Sequence, residues 1–397
     1  MGRVCPGNLP PYTSVNNEDM KILHISDLHL GKRVLGFPML EDQNFILKEI
    51  LEIVEQQQPQ AVVIAGDVFD KGIPSVEAIE AFDHFLVALS KFQLDVFVVS
   101  GNHDQAERLS FGSRLMIPNI HIAPAYSGAL QPVVLNDEYG ELNIYMLPFI
   151  KPGFIRPYTT REIDTYQDAV AEAIDQMAAD PAARNVLVAH QFVTAEGTTI
   201  ERCDSEEFSV GGIDNIDAQT FSAFDYVALG HLHRAQQVSR PSIRYSGSPL
   251  KYSFSEIHHK KSVTLVELKN KGQAEVSTIE LKPSTDMGEL KGRFDELTAK
   301  DYYLGKAFRN YYLRIVLTDE QDVPDAFGRL RNIYPNLMEL GYDNHRTRAT
   351  DTVNGNAAVE LLQPIDILKQ LYSEQNKQEL SQEMEKLANE LIEKIWN

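Results

Sequence analysis

Cysteine is nearly absent: Cys5 and Cys203 are the only two in 397 residues. With only two thiols, one of them in a Pro-rich leader, no disulfide framework is expected, and a reducing cytoplasm fits. No uninterrupted apolar run approaches the roughly 18–20 residues of a membrane span, so no membrane partner is expected. The first residues lack a basic stretch followed by an apolar one, so a secretory leader is not expected either. Basic residues are also scarce: 37 Lys and Arg face 57 Asp and Glu, a formal charge of −20. Taken alone, that balance counts against tight binding of nucleic acid by the free chain. A metal that neutralises an acidic cluster, or a partner that supplies a basic groove, would change it.

What remains is an ordinary globular composition, 43% hydrophobic and 24% charged, on a chain long enough for two or three domains. Residues 1–19 show no periodicity, and Pro10 and Pro11 break any element, so they read as a disordered extension. From Met20 onward, short apolar runs at 21–26, 61–66, 95–101, 185–190 and 225–230 alternate with amphipathic helical stretches at 41–57, 75–91 and 161–178. Runs that are apolar throughout suit strands covered on both faces, the pattern of an α/β domain. The later segments "IRYSGS", "KSVTLVEL" and "AEVSTIEL" read as an antiparallel end to that domain. Near residue 282 the character changes. "MGELKGRFDELTAK" reads as a helix, "YYLRIVLTD" as a strand, and "VPDAFGRLRNIY" as a helix with Pro324 near its first turn: a small α+β domain over 282–343. A polar linker at 344–363 leads to a helical segment at 364–397. There Leu380, Met384, Leu387, Ala388, Leu391 and Ile395 form a stripe that packs either on its own protein or on a partner.

Five motifs follow predicted strands directly: "SDLH" (Asp27, His29), "GDVFD" (Asp67), "GNHD" (Asn102, His103, Asp104), "AHQ" (His190) and "GHLH" (His231, His233). In an open α/β sheet, ligands bind at the carboxyl ends of strands. Any one of these residues alone is more often a cap, a turn or a structural histidine; together they converge on one edge. Nitrogen and oxygen donors without a thiolate favour Mn²⁺, Fe²⁺, Zn²⁺ or Mg²⁺. Two such cations about 3.5–4 Å apart need a bridging anionic ligand, and the pair activates water for attack on a phosphoryl group. A histidine beside the metals can protonate the leaving alkoxide. His231 and His233, one residue apart, could share one metal, serve two, or do nothing chemical. In an extended segment both would point to one side, with Gly230 freeing the turn.

In this order, D-x-H, G-D, G-N-H-D, a lone His and G-H-x-H resemble the calcineurin-like metallophosphoesterase superfamily over roughly residues 20–281. The stretches "ILHISDLHLGK", "AGDVFD", "SGNHD", "GHLHRAQ" and "YSGSPLKYSFSE" are similar to the nuclease subunits of bacterial SbcCD complexes. The resemblance implies an α/β fold of the metallophosphoesterase kind, an αββα sandwich, with a DNA-capping α+β domain and a C-terminal helical segment that binds the ATPase partner. It implies a DNA exonuclease and endonuclease holding two divalent ions, Mn²⁺ foremost, in DNA repair and recombination. Asp27, His29 and His233 would hold one ion, Asn102, His190 and His231 the other, and Asp67 would bridge them. His103 would serve beside the site as leaving-group acid or phosphate contact, oriented by Asp104. Partners would be DNA, an SbcC-type coiled-coil ATPase subunit and a second copy of the chain within a heterotetramer. The position three residues after the bridging Asp, an auxiliary histidine in some relatives, holds Asp70. His24 reads as a core residue, His84 and His121 as surface or helix residues. His258 and His259 read as solvent-exposed, or as DNA phosphate contacts. Arg33, Arg108, Arg114 and Arg234 are candidate phosphate contacts because they flank the motifs, and the Ser246–Ser248 loop fits near the site by resemblance.

Overall fold

The computed structural model describes residues 19–115, 117–128, 130–206, 214–345 and 384–389, with a few residues between 365 and 381. The expected N-terminal extension up to residue 18, nearly all of the linker and most of the helical tail lie outside the described residues. The chain divides into two units. One comprises Met1–Cys203 with Ile216–Ser284, the other Asp204–Asn215 with Thr285–Asn397.

The first unit is built on two six-stranded sheets. Strands β1 (Met20–Ile25), β2 (Ala61–Ala65) and β3 (Asp95–Val99) run parallel in the first. The helices α1 (Leu40–Gln57) and α2 (Val76–Leu89) are their crossovers. All five residues of β2, "AVVIA", are buried, as expected for β-branched side chains covered on both faces. The second sheet centres on β4 (Arg184–His190) and β5 (Tyr226–Gly230), also parallel to one another. Ile22, Val63 and Phe97 of one sheet share a core cluster with Val188 and Ala228 of the other. The Ile, Val and Phe side chains among them, fully buried, contribute about 1.5–3 kcal/mol each. His24 is buried in β1, and its Nδ1 meets the Tyr226 hydroxyl of β5 at 2.8 Å, a polar tie between the sheets.

Helix α1 turns Ile46, Leu47, Ile50 and Val54 inward and ends on Gln58 in the left-handed region (φ 50°). Helix α2 starts on Ser75, whose hydroxyl accepts from the Ala78 N–H. Among the described residues, no helix is long and apolar enough to cross a membrane.

Two expectations need correction. The segments 262–268 and 274–280 do pair antiparallel at the edge of the first sheet. "IRY" does not join them: Ile243–Tyr245 lies in the second sheet, parallel to β5 on one side and antiparallel to Gln236–Gln237 on the other. In the second unit, "MGELKGRFDELTAK" is not a helix. Met287–Gly292 is a strand parallel to Tyr312–Leu317, and helix is confined to the short turns Phe294–Leu297 and Lys300–Tyr303. Gly288 and Gly292 weaken the helical option, and pairing with the neighbouring strand wins. A third parallel strand, Leu337–Tyr342, completes this sheet, over which the helix Ala326–Arg331 packs Ala326 and Leu330.

Candidate metal centre

The first two loops are laced together by their backbones. Asp27 N–H donates to the Gly66 carbonyl at 3.0 Å, His29 N–H to the Asp67 carbonyl at 2.9 Å, and Leu30 N–H to the Val68 carbonyl at 2.9 Å. Four of the candidate ligands sit at positive φ: Asp27 at 55°, His29 at 45°, Asp67 at 48° and His231 at 104°. Non-glycine residues seldom adopt this region, and such conformations concentrate at functional sites. The turn after β5 is therefore made by His231 itself rather than by an extended segment freed at Gly230. Gly230 serves packing instead: a β-carbon there would lie 1.8 Å from the Ala65 carbonyl oxygen.

The side chains gather in two groups. In one, His29 Nε2 lies 3.1 Å from His233 Nε2, and Asp27 is close enough for all three to share an ion. In the other, the Asn102 side-chain oxygen lies 3.0 Å from His190 Nε2 and 3.1 Å from His231 Nδ1. Asp67 stands between them: its Oδ2 is 3.5 Å from His29 Nε2 and 3.4 Å from His190 Nε2. Its Oδ1 accepts the His103 backbone N–H at 2.9 Å. His231 and His233 thus part, one to each group. The backbone ties the groups as well, because His231 N–H donates to the Asp27 carboxylate at 3.0 Å.

Burial pushes His29 and His231 down to about 3. Burial also opposes charge on His190, but Asp67 beside it pushes that imidazole up to about 9. The same burial would raise Asp67, yet His190 and the surrounding imidazoles hold its carboxyl well below the ordinary range. Burial raises Asp27.

The residues fit a pair of divalent ions. Two imidazole nitrogens 3.1 Å apart can hold only one proton between them. Carboxylates buried as deeply as Asp27 and Asp67 require a compensating positive charge. The donors are oxygens and imidazole nitrogens, the set that borderline and hard divalent cations take. Cys203 stands apart from them, its sulfur 3.9 Å from His259 Nδ1.

Around these ligands lie residues that strand-end reasoning missed. His29 Nδ1 faces Asp70 Oδ1 at 3.6 Å, an ion-pair distance rather than a hydrogen bond, and Lys32 holds that oxygen at 2.8 Å. His233 Nδ1 faces Glu256 Oε1 at 3.8 Å, and Glu256 is paired with the buried Lys261. Gln43, on α1, donates to the His29 carbonyl at 2.7 Å. A signal existed for Asp70, three residues after Asp67. Glu256 ends a 3₁₀ turn and Lys261 lies just before the strand Ser262–Leu268, where nothing in the local pattern marks them.

Asp104 does something other than orient the His103 ring. Its carboxylate accepts the backbone N–H groups of Val68 at 3.0 Å, Phe69 at 2.9 Å and Gly101 at 2.9 Å. It fastens the loop carrying Asp67 to the loop carrying Asn102. The His103 ring is set by Nδ1–H donating to the Asp70 carbonyl at 2.9 Å. Arg234 pairs with Glu201, and Arg33 and Arg108 donate to the carbonyls of Gly36 and Gly72, so these arginines have local partners. The Arg114 side chain lies outside the described residues. His84 and His258 are exposed, His259 is half-buried, and His121 pairs with Asp95. Ser246 and Ser248 are buried, with Ser248 accepting from Lys261.

The calcineurin-like phosphoesterase family matches residues 20–235, and the type 5 capsule protein repressor C-terminal domain matches 283–376. The D subunit of the nuclease SbcCD from Staphylococcus epidermidis (strain ATCC 12228) is 33% identical over 327 residues, 81% of this chain and 85% of that one. Two solved structures, a protein from Thermus thermophilus and a dimetal phosphatase from Danio rerio, overlap 66% of this chain at 11% identity. They cover 99% and 98% of those chains, but TM-scores of 0.41 and 0.40 are too low to bear on the argument. With its first 216 residues after Asp19 matched and a relative one-third identical along most of both chains, this chain belongs to the calcineurin-like phosphoesterase family and is a metal-dependent phosphoesterase.

Proposed function

We propose that the chain is the catalytic subunit of a Mn²⁺-dependent DNA nuclease of the SbcCD type, acting in the cytoplasm on double-strand ends and hairpins. The observation that carries this reading is the position of the Asp67 Oδ2, within 3.5 Å of an imidazole from each group. Asp27, His29 and His233 would hold one ion, Asn102, His190 and His231 the second, and Asp67 both. Ions held there would supply a water acidic enough to ionise near neutral pH and positive charge for the phosphoryl oxygens.

The protein residues do the remainder. His103, held through Nδ1–H by the Asp70 carbonyl, keeps Nε2 for the proton it gives to the leaving deoxyribose oxygen. Asp104 keeps the Asp67 and Asn102 loops at fixed spacing, so both groups meet one phosphodiester. The unit from Thr285 would cap the DNA, and the 364–397 segment would bind a coiled-coil ATPase subunit. That partner would supply the basic surface a chain of charge −20 lacks. A second copy would join through α2, where Val76, Ile79 and Val87 are exposed, as is the nearby Ile73.

The test is cleavage of linear duplex DNA with blocked ends, by the chain alone and with its ATPase subunit, across Mn²⁺, Mg²⁺ and Zn²⁺. Mn²⁺-dependent cutting stimulated by the subunit is expected. Hydrolysis of cyclic nucleotides with no cutting of duplex would overturn the proposal.

A further inference from the structure

We infer that Asp70 and Glu256 are positioning residues that make the two halves of the metal centre unequal, so that one ion is held tightly and the other exchanges. This rests on the ligand assignment proposed above. His29 and His233 present their Nε2 atoms to each other at 3.1 Å, which leaves both Nδ1 atoms facing away. Behind each lies a carboxylate: Asp70 at 3.6 Å behind His29, and Glu256 at 3.8 Å behind His233. Each carboxylate is held in turn by a lysine, Asp70 by Lys32 at 2.8 Å and Glu256 by Lys261 at 2.5 Å. Lys261 also donates to the His233 carbonyl at 2.8 Å, so it grips both the imidazole's residue and the carboxylate behind it.

A carboxylate behind a ligating imidazole favours the tautomer with Nδ1–H outward and makes Nε2 a stronger donor; at 3.6 and 3.8 Å Asp70 and Glu256 do so through their charge, not through a hydrogen bond. The other half is built differently. His190 Nδ1 donates to a neutral acceptor, the Ala65 carbonyl at 2.9 Å. His231 turns Nδ1 itself toward the Asn102 oxygen at 3.1 Å, and Asn102 is uncharged. Among the described residues, beyond the shared Asp67, the first half has one direct carboxylate, Asp27, and two backing ones, while the second meets a carboxamide and a backbone carbonyl. The ion at Asp27, His29 and His233 is therefore the tight one. The ion at Asn102, His190 and His231 leaves first when metal becomes scarce. Asp70 thereby gains a role of its own, backing His29 from the position where some relatives carry a histidine.

The experiment is Mn²⁺ titration of the metal-stripped chain, with free Mn²⁺ read by electron paramagnetic resonance. The wild type should show two classes of site. Asp70→Asn and Glu256→Gln should each weaken the tight class by about 10–100-fold and leave the weak class in place. Because Glu256→Gln strands Lys261 in a buried site, the pair Glu256→Gln/Lys261→Met tests the same point without the stranded charge, and circular dichroism checks folding. A purely structural role would weaken both classes together, and that result, or an unmoved tight class in folded Asp70→Asn, overturns the inference. Asn102→Ala and Asp27→Ala separate this from the underlying assignment. Loss of the weak class in the first and the tight class in the second is expected, whereas no change in either would overturn the ligand assignment itself.

Discussion

A β-carbon placed on Gly101 would come within 2.1 Å of the Asp67 Oδ1. The loop after β3 thus passes so close to the Asp67 carboxylate that only glycine fits between them. Gly101→Ala must displace Asp67 or the Asn102–Asp104 loop. Misplacing catalytic groups by about 1 Å costs on the order of 100-fold in rate. We expect that loss or more in Mn²⁺-dependent cleavage, measured as kcat/KM, with the far-ultraviolet circular dichroism of the folded chain retained.

His103→Ala separates proton donation from metal binding. With the ring gone, cleavage of DNA should fall by about 10²–10⁴-fold, the usual range for a lost general acid. Bound Mn²⁺ should stay at the wild-type level. A diester with a p-nitrophenolate leaving group needs no protonation, so its hydrolysis should fall far less. Equal losses on both substrates would refute the proton-donor role.

His24 predicts a pH dependence of folding. Burial, with Arg244 nearby, pushes its imidazole down to about 3. The folded value lies below the unfolded one of about 6.5, so the unfolded chain takes up the proton first. The contribution is fully present above about pH 6.5 and is lost as pH falls toward 3, at most about 1.4 kcal/mol per pH unit. Urea unfolding should show declining stability across this window, and His24→Gln should flatten the slope.

The exposed apolar face of α2 gives a prediction about assembly. Ile79→Glu and Val87→Glu place charge on a surface that would otherwise be covered by a second copy. Light scattering should show a dimer for the wild type and a monomer for the double variant, with each protomer's thermal unfolding little changed. A monomeric wild type would remove α2 as the contact.

The strand-end motifs were legible because their logic is local. Asp27, His29, Asp67, Asn102, His190, His231 and His233 each follow an apolar run, and parallel sheets bring such ends to one side. Two sheets rather than one deliver them, a distinction that no short run reveals. Asp70 was visible as a position but not as the residue behind His29. Glu256 and Lys261 reach His233 from a turn more than twenty residues away, and only the folded chain brings them there. The reading of 287–300 as a helix failed because pairing with Tyr312–Leu317 outweighed local preference. Asp104 was found, but its work on three backbone N–H groups depends on the approach of two loops and has no trace in "GNHD".

The main-chain lacing between the first two loops bears on how this centre can be altered. The bonds from Asp27 to Gly66, His29 to Asp67 and Leu30 to Val68 use no side-chain atoms. Exchanging a candidate ligand for a residue of similar size leaves the socket's frame standing, provided the new residue tolerates a left-handed backbone. Asn and Asp do so most readily, which makes Asp27→Asn and Asp67→Asn the natural first steps for anyone who wishes to retune this scaffold toward a different cation.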